Sequence, residues 1–221
     1  MEKDKIDSII FDLDGTLWDS TDGICDAWQI ILDKHPEIKR QKITRGDLEK
    51  CMGLPMYDIA AKLFVNETEE VQKSLMDEMS SFENKYLEKR GGVLYDGLKE
   101  TLEILQKNYK LYIVSNCQDG YIEAFIKAHN MQKYFLDTEC WGRTFLTKGE
   151  NNKMLIERNS LKNPVYVGDT QKDAQSAKEA GIPFVYASYG FGDVSEYDYY
   201  LDKITRLPAI LKQDSTGSSD I

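Results

Sequence analysis

The chain has only two histidines, His35 and His129, and four cysteines in 221 residues. Cys25, Cys51, Cys117 and Cys140 form no Cys-x-x-Cys pair, which excludes the common zinc and disulfide frameworks. Reduced thiols are expected, and Cys117 reads as a buried neutral thiol. The histidines stand alone in the sequence and read as packing or surface residues, not ligands. No apolar run is long enough to span a bilayer. Residues 1–7 are charged and lack the apolar stretch of a secretory leader, so the expected location is cytoplasmic. Positive charge is in deficit: Lys and Arg number 28 against 38 Asp and Glu, a net charge of −10. That balance argues against unaided binding to nucleic acid or to an anionic membrane. There is no internal repeat.

Against this plain background one stretch stands out, Phe11-Asp12-Leu13-Asp14-Gly15-Thr16-Leu17. Two carboxylates lie two residues apart where the apolar run Ile9-Ile10-Phe11 ends in a turn. Strand alternation would put Asp12 and Asp14 on one side and pack Leu13 on the other, unless the curl past the strand end alters it. Two close carboxylates repel, and a hard cation bound through oxygen relieves that repulsion. Gly15 permits a close backbone approach, and Thr16 adds a hydroxyl. A metal, a carboxylate nucleophile and a second carboxyl for proton transfer make a phosphoryl-transfer site. A calcium loop of the EF-hand kind is excluded, because the twelfth residue from Asp12 is Gly23 and not Glu.

Gly168-Asp169-Thr170-Gln171-Lys172-Asp173 follows a second buried-strand pattern, Val165-Tyr166-Val167, and precedes a helical one. Asp169 therefore sits at a strand-to-helix junction, where ligand sites of open α/β sheets gather. Thr170 and Asp173 also fit a capping box, so Asp173 has a structural and a functional reading. At a third junction, Leu111-Tyr112-Ile113-Val114 runs into Ser115-Asn116. These two residues open a helix, either as a plain cap or as phosphate-binding donors. Lys148 in Thr147-Lys148-Gly149-Glu150 is singled out only by its position, shortly before a helix that leads to the Asp169 strand.

These motifs, in this order from Asp12 to Asp173, resemble the haloacid dehalogenase superfamily of phosphotransferases. The resemblance implies a Rossmann-like parallel-sheet α/β core and a Mg2+-dependent phosphatase acting on a small phosphorylated metabolite. It implies Asp12 as the nucleophile that becomes an aspartyl phosphate, and Asp14 as the acid and then the base. Thr16, Ser115, Asn116 and Lys148 would hold the phosphoryl group. Asp12, the backbone carbonyl of Asp14 and Asp169 would bind magnesium, with Asp173 supporting them from behind. Dehalogenating members typically lack the second acid of the first motif, so Asp14 favours phosphate chemistry.

The first strand, residues 7–13, is followed by about seventy-five residues of helical pattern. Helices are expected over 18–34, over 47–65 with a break at Gly53-Leu54-Pro55, and over 69–89. Strands are expected over 110–114, 135–140, 164–167 and 182–187, with helices over 97–107 and 204–211. Residues 1–16 and 93–212 would form the core, 17–92 an all-helical cap, and 213–221 a flexible tail. Such an insert resembles the small cap of the phosphoglycolate-phosphatase-like and β-phosphoglucomutase-like branch. Hinges would lie near 17–19 and 90–92. Gly53 and Leu54 are candidate specificity residues, because Met52-Gly53-Leu54-Pro55 resembles a loop that some relatives point at the substrate. It equally reads as a plain helix–helix turn. Arg45, Lys50 and Lys62 are cap cations that read more simply as solvated surface. A sugar-phosphate mutase is the alternative, weakened because residues 17–34 hold no histidine. A binding protein with a vestigial site is a further alternative, disfavoured by the cost of a clustered acid set without a cation.

Overall fold

The computed structural model describes residues 5–213. The expected tail therefore lies outside the described residues from 214 onward, as do the first four residues. Six parallel strands form the central sheet, in the order β5-β4-β1-β6-β7-β8. They are β1 (Ser8–Phe11), β4 (Lys110–Ser115), β5 (Phe135–Cys140), β6 (Pro164–Gly168), β7 (Phe184–Ala187) and β8 (Tyr199–Leu201). All four residues of β1 are buried, as a strand covered on both faces requires. Its register sets Phe11 beside Ile113 on one side and Val167 on the other. The three strands that carry the sequence motifs are thus adjacent, and their carboxyl ends lie side by side.

Helices cover both faces. The core helices are α5 (Leu98–Leu105), α6 (Tyr121–His129), α7 (Trp141–Thr144), α8 (Lys148–Arg158), α9 (Gln171–Ala180) and α10 (Leu207–Gln213). Alternation along β1 divides the interior. Ile9, Phe11 and Leu13 join one apolar cluster, whereas Ile10 joins Tyr112, Val114, Leu155 and Tyr166 on the face of α8 and α9.

The segment after β1 holds α1 (Thr21–Leu32), α2 (Arg45–Glu49), α3 (Met56–Leu63) and α4 (Glu69–Arg90). Ile24, Ala27, Trp28, Ile31 and Leu32 are the buried stripe of α1, at the spacing of one helix face. Twenty-two residues make α4 about 33 Å long. Thr68 caps its start, acids fill its first turn, Lys89 and Arg90 fill its last, and Gly91 ends it at φ +71°. The apolar cluster below this segment is continuous with that of the core.

The expected helix start at residue 18 is corrected. Trp18–Asp19 is a short strand, β2, paired antiparallel with β3 (Val93–Leu94), and the helix begins only at Thr21. Trp18 is fully buried and packs edge-on against Tyr121 and Phe125 at 5.6 and 5.1 Å. A local helical pattern thus yields to strand pairing and aromatic burial; truncating a buried Trp typically costs about 3–5 kcal/mol. The two chain crossings are joined as one ribbon. No helix among the described residues is long and apolar enough to cross a membrane.

Candidate active site

Asp12 lies one residue beyond β1, and its N–H donates to the Val167 carbonyl at 2.8 Å. It shares the face of Ile10, toward α8. There Lys148, the first residue of α8, is 5 % exposed. Thr147 and Glu150 form a capping box that fixes this helix start. Lys148 Nζ donates to Asp12 Oδ1 at 2.8 Å and to Asp173 Oδ1 at 2.6 Å. The other oxygen of Asp173 accepts from Thr170 N at 2.9 Å and from Thr170 Oγ1 at 2.6 Å. Asp173 therefore caps α9 with one oxygen and meets Lys148 with the other.

Asp169 is fully buried. Its Oδ2 accepts from the N–H of Phe191 at 2.7 Å, and its Oδ1 has no hydrogen-bond partner. Gly15 turns the chain at φ +79°, and a Cβ there would overlap the Asp169 carboxylate. Carboxylate oxygens of Asp12, Asp169 and Asp173 lie within 4.8 Å of one another. With all three carboxyls ionised against one ammonium, two negative charges would remain, which one divalent cation would balance. An unpartnered buried oxygen and an all-oxygen donor set fit a hard cation. A carboxylate oxygen of Asp173 thus lies close to those of Asp12 and Asp169, while both of its oxygens also have protein partners.

The electrostatics follow from crowding. Burial pushes the Asp12 carboxyl up to about 7, Asp173 adds to the rise, and Lys148 opposes it. Burial also raises Asp169 well above the usual carboxylate range, with Asp173 and Asp12 adding to it. Burial alone would pull the Lys148 ammonium down, but Asp12 and Asp173 outweigh it and hold it well above its ordinary value. The lysine is the fixed positive charge of the site.

Asp14 departs from the expected alternation. The turn through Gly15 folds the chain back, with the N–H groups of Leu17 and Trp18 both directed at the Leu13 carbonyl. Asp14 Oδ1 then accepts from Ser20 Oγ and from Tyr121 OH, each at 2.7 Å. Burial raises its carboxyl, and these two donors partly offset the rise. Asp12 and Asp14 line one cavity, together with Ser115, Asn116 and Lys148.

Ser115 is buried at the end of β4. It opens no helix: α6 begins six residues later at Tyr121, after Gly120 at φ +86°. The expected helix opening at Ser115-Asn116 is therefore a loop. The Asn116 amide donates to the Gly53 carbonyl at 2.9 Å, a bond from the sheet end to the loop between α2 and α3. Thr16 is fully buried with an unpartnered hydroxyl. Gly53 and Leu54 do line the cavity. Arg45, Lys50 and Lys62 do not: Arg45 pairs with Asp19, Asp22 and Glu49, and Lys62 donates to the Lys50 carbonyl.

Sequence reading missed Ser20, Tyr121 and the segment at Tyr189-Gly190-Phe191, whose tyrosine hydroxyl donates to the Thr16 carbonyl at 2.9 Å. A signal existed for that segment, since Gly190 and Gly192 follow the end of β7. None existed for Tyr121, which reads as an ordinary helical residue.

Acids at the carboxyl ends of adjacent parallel strands, with a buried lysine at the start of α8 beside them, place the chain among α/β proteins with a polar site at the strand ends. A family model described as haloacid dehalogenase-like hydrolase matches residues 9–187. The chain belongs to that family. A phosphoglycolate phosphatase of Photobacterium profundum is 26% identical over 92% of this chain and 95% of its own. Another, of Shigella boydii, is 26% identical over 94% and 93%. Among solved structures, CbbY from Rhodobacter sphaeroides in complex with phosphate superposes with a TM-score of 0.78 at 16% identity, covering 94% of this chain and 99% of that one. A haloacid dehalogenase-like hydrolase from Streptococcus pneumoniae gives 0.78 at 22%, covering 92% and 97%. The two structures share its fold.

Proposed function

We propose that the chain hydrolyses a small phosphorylated metabolite through an aspartyl phosphate on Asp12, with Mg2+ held by the acidic cluster. It is a haloacid dehalogenase-like phosphatase. The observation that carries the mechanism is the buried Asp12 carboxylate held at 2.8 Å by Lys148 at the end of the central strand. A phosphate ester repels a carboxylate, and the site must cancel that repulsion.

Asp12 attacks phosphorus, and the bond from phosphorus to the leaving oxygen breaks. Asp14 gives its proton to that oxygen. It then takes a proton from the water that attacks the aspartyl phosphate and releases inorganic phosphate. Ser20 and Tyr121 fix Asp14 through one oxygen and leave the other for proton exchange. The Ser115 hydroxyl lines the cavity and suits a phosphoryl oxygen, and the unpartnered Thr16 hydroxyl, buried outside the cavity lining, is kept as a further donor. Lys148 orients Asp12 and offsets negative charge on the transferring group. Asp12 and Asp169 are the side chains that would hold Mg2+, with the Asp14 carbonyl as a further donor and Asp173, whose oxygens meet Lys148 and Thr170, supporting them from behind. Bound there, Mg2+ supplies charge neutralisation for the phosphoryl group. Asn116 is assigned to the loop contact at Gly53 rather than to the phosphate.

Residues 17–92 act in this reading as a cap over a core of 1–16 and 93–212, covering the leaving group. The mutase alternative gains nothing from His35, which bonds Glu37 and Glu78 away from the cavity. The test is phosphate release from an aryl phosphate. Chelation should abolish it, Mg2+ should restore it, and Ca2+ should support less, because its looser coordination misplaces the nucleophile. Full activity after exhaustive metal removal would sink the metal part of the proposal. Because the relatives' name is phosphoglycolate phosphatase, 2-phosphoglycolate belongs in the first substrate panel.

A further inference from the structure

Beyond the phosphate end, the cavity wall is apolar, built by Ile24, Leu48, Met52, Leu54 and Ile59. One acid interrupts it. Glu83, on α4, lines the cavity and is 1 % exposed. Its Oε2 accepts from Trp28 Nε1, and its Oε1 accepts from Gln118 Nε2 at 2.8 Å. Both donors are neutral. Trp28 can only donate, and the same Gln118 nitrogen also donates to Asn84 Oδ1 at 2.9 Å. Both Glu83 oxygens are therefore held as acceptors, each with a further lone pair. A buried carboxyl normally has a cationic partner. Among the described residues Lys148 is the one cation lining the cavity, and it is committed to Asp12 and Asp173.

We propose that Glu83 selects the leaving group of the substrate, favouring one that carries a hydroxyl or ammonium donor and rejecting one that carries a carboxylate. This rests on the phosphatase reading and deepens it. A carboxylate in this part of the cavity finds no counter-charge, because Lys148 is committed elsewhere and the nearest ionisable groups are the Glu83 and Asp14 carboxyls. A donor completes the acceptor set, and an ammonium supplies the missing counter-charge. Burial pushes the Glu83 carboxyl up to about 8, and a bound ammonium would draw it back down to the charged acceptor form. The inference sets this chain apart from the substrate in its relatives' names.

The experiment compares four matched esters with the full-length chain and Mg2+: 2-aminoethyl phosphate, 2-hydroxyethyl phosphate, ethyl phosphate and 2-phosphoglycolate. An aryl phosphate is included as the general substrate. The readout is the ratio of kcat/KM for each donor-bearing ester to that for 2-phosphoglycolate, which cancels differences in active fraction. The wild type should favour at least one donor-bearing ester by about tenfold or more, and Glu83→Gln should cut that ratio at least about fivefold. Equal values, or 2-phosphoglycolate as the best ester of the wild type, would overturn the inference while leaving the phosphatase reading intact. An unchanged ratio in a folded Glu83→Gln would overturn it too. Should that variant not fold, the wild-type ranking decides alone. No release from any ester, the aryl phosphate included, would overturn both.

Discussion

Glu83→Gln also makes a stability prediction that needs no substrate. The carboxyl titrates near 4.5 in an unfolded chain and is pushed up to about 8 in the folded one, chiefly by burial, with the Asp14 charge adding to it. Between those values the native state holds a proton that the unfolded state has released. Unfolding then releases a proton, so raising the pH favours unfolding. The Glu83 contribution is fully present below pH 4.5 and falls by about 1.4 kcal/mol per pH unit through the window. It flattens above pH 8. From pH 5 to pH 8 the loss is about 3 kcal/mol, after allowing for partial titration at both ends. Glutamine removes the titration and keeps the shape. It also turns an N–H toward Trp28 or Gln118, a cost that does not vary with pH. The assay is urea unfolding of both proteins at pH 5, 6, 7 and 8. The wild type should lose stability relative to the variant steadily across the series, and other titrating groups cancel in the difference. A difference that stays constant from pH 5 to pH 8 would refute the reasoning.

Asp12→Asn should lower kcat at least about a thousandfold with the circular dichroism spectrum retained, while Asp14→Asn should turn over slowly and accumulate phosphoenzyme. Acid-quench trapping of labelled phosphate reads both, and label on another residue would refute the assignment. Gly15→Ala places a Cβ against the Asp169 carboxylate at a positive φ, so it should cost more than about 1 kcal/mol in urea unfolding and impair metal-dependent turnover. Leu54→Arg should lower kcat/KM for the best metabolite about tenfold more than for an aryl phosphate, because Leu54 lines the cavity wall away from the reacting atoms. Equal losses on both would mean damage to the loop held by Asn116.

The strand ends were legible because chemistry and pattern coincide there. Apolar runs stop at Asp12, Ser115 and Asp169, and the parallel register brings those stops together. A curl past the strand end was legible in Gly15, but its direction toward Tyr121 was not, because strand alternation stops applying where Gly15 takes a positive φ. Strand β8 is three residues of tyrosine and leucine at a sheet edge, too short for a period to register. Glu83 looks like one more solvated acid on a highly charged helix. Its burial comes from Trp28, fifty-five positions earlier, and Gln118, thirty-five later, contacts that no local window contains.

The two-handed role of Asp173 binds mechanical integrity to chemistry. An engineer who re-optimises the start of α9 edits the grip on the buried lysine in the same stroke. Asparagine keeps a capping oxygen but, with that oxygen turned to Thr170, offers the ammonium an amide N–H. Glutamate keeps the charge but lengthens the reach by a methylene, so the box and the lysine cannot both be met from the present backbone. Thermal tolerance and turnover are therefore not independently adjustable at this position, and a lineage can drift there only by moving both at once.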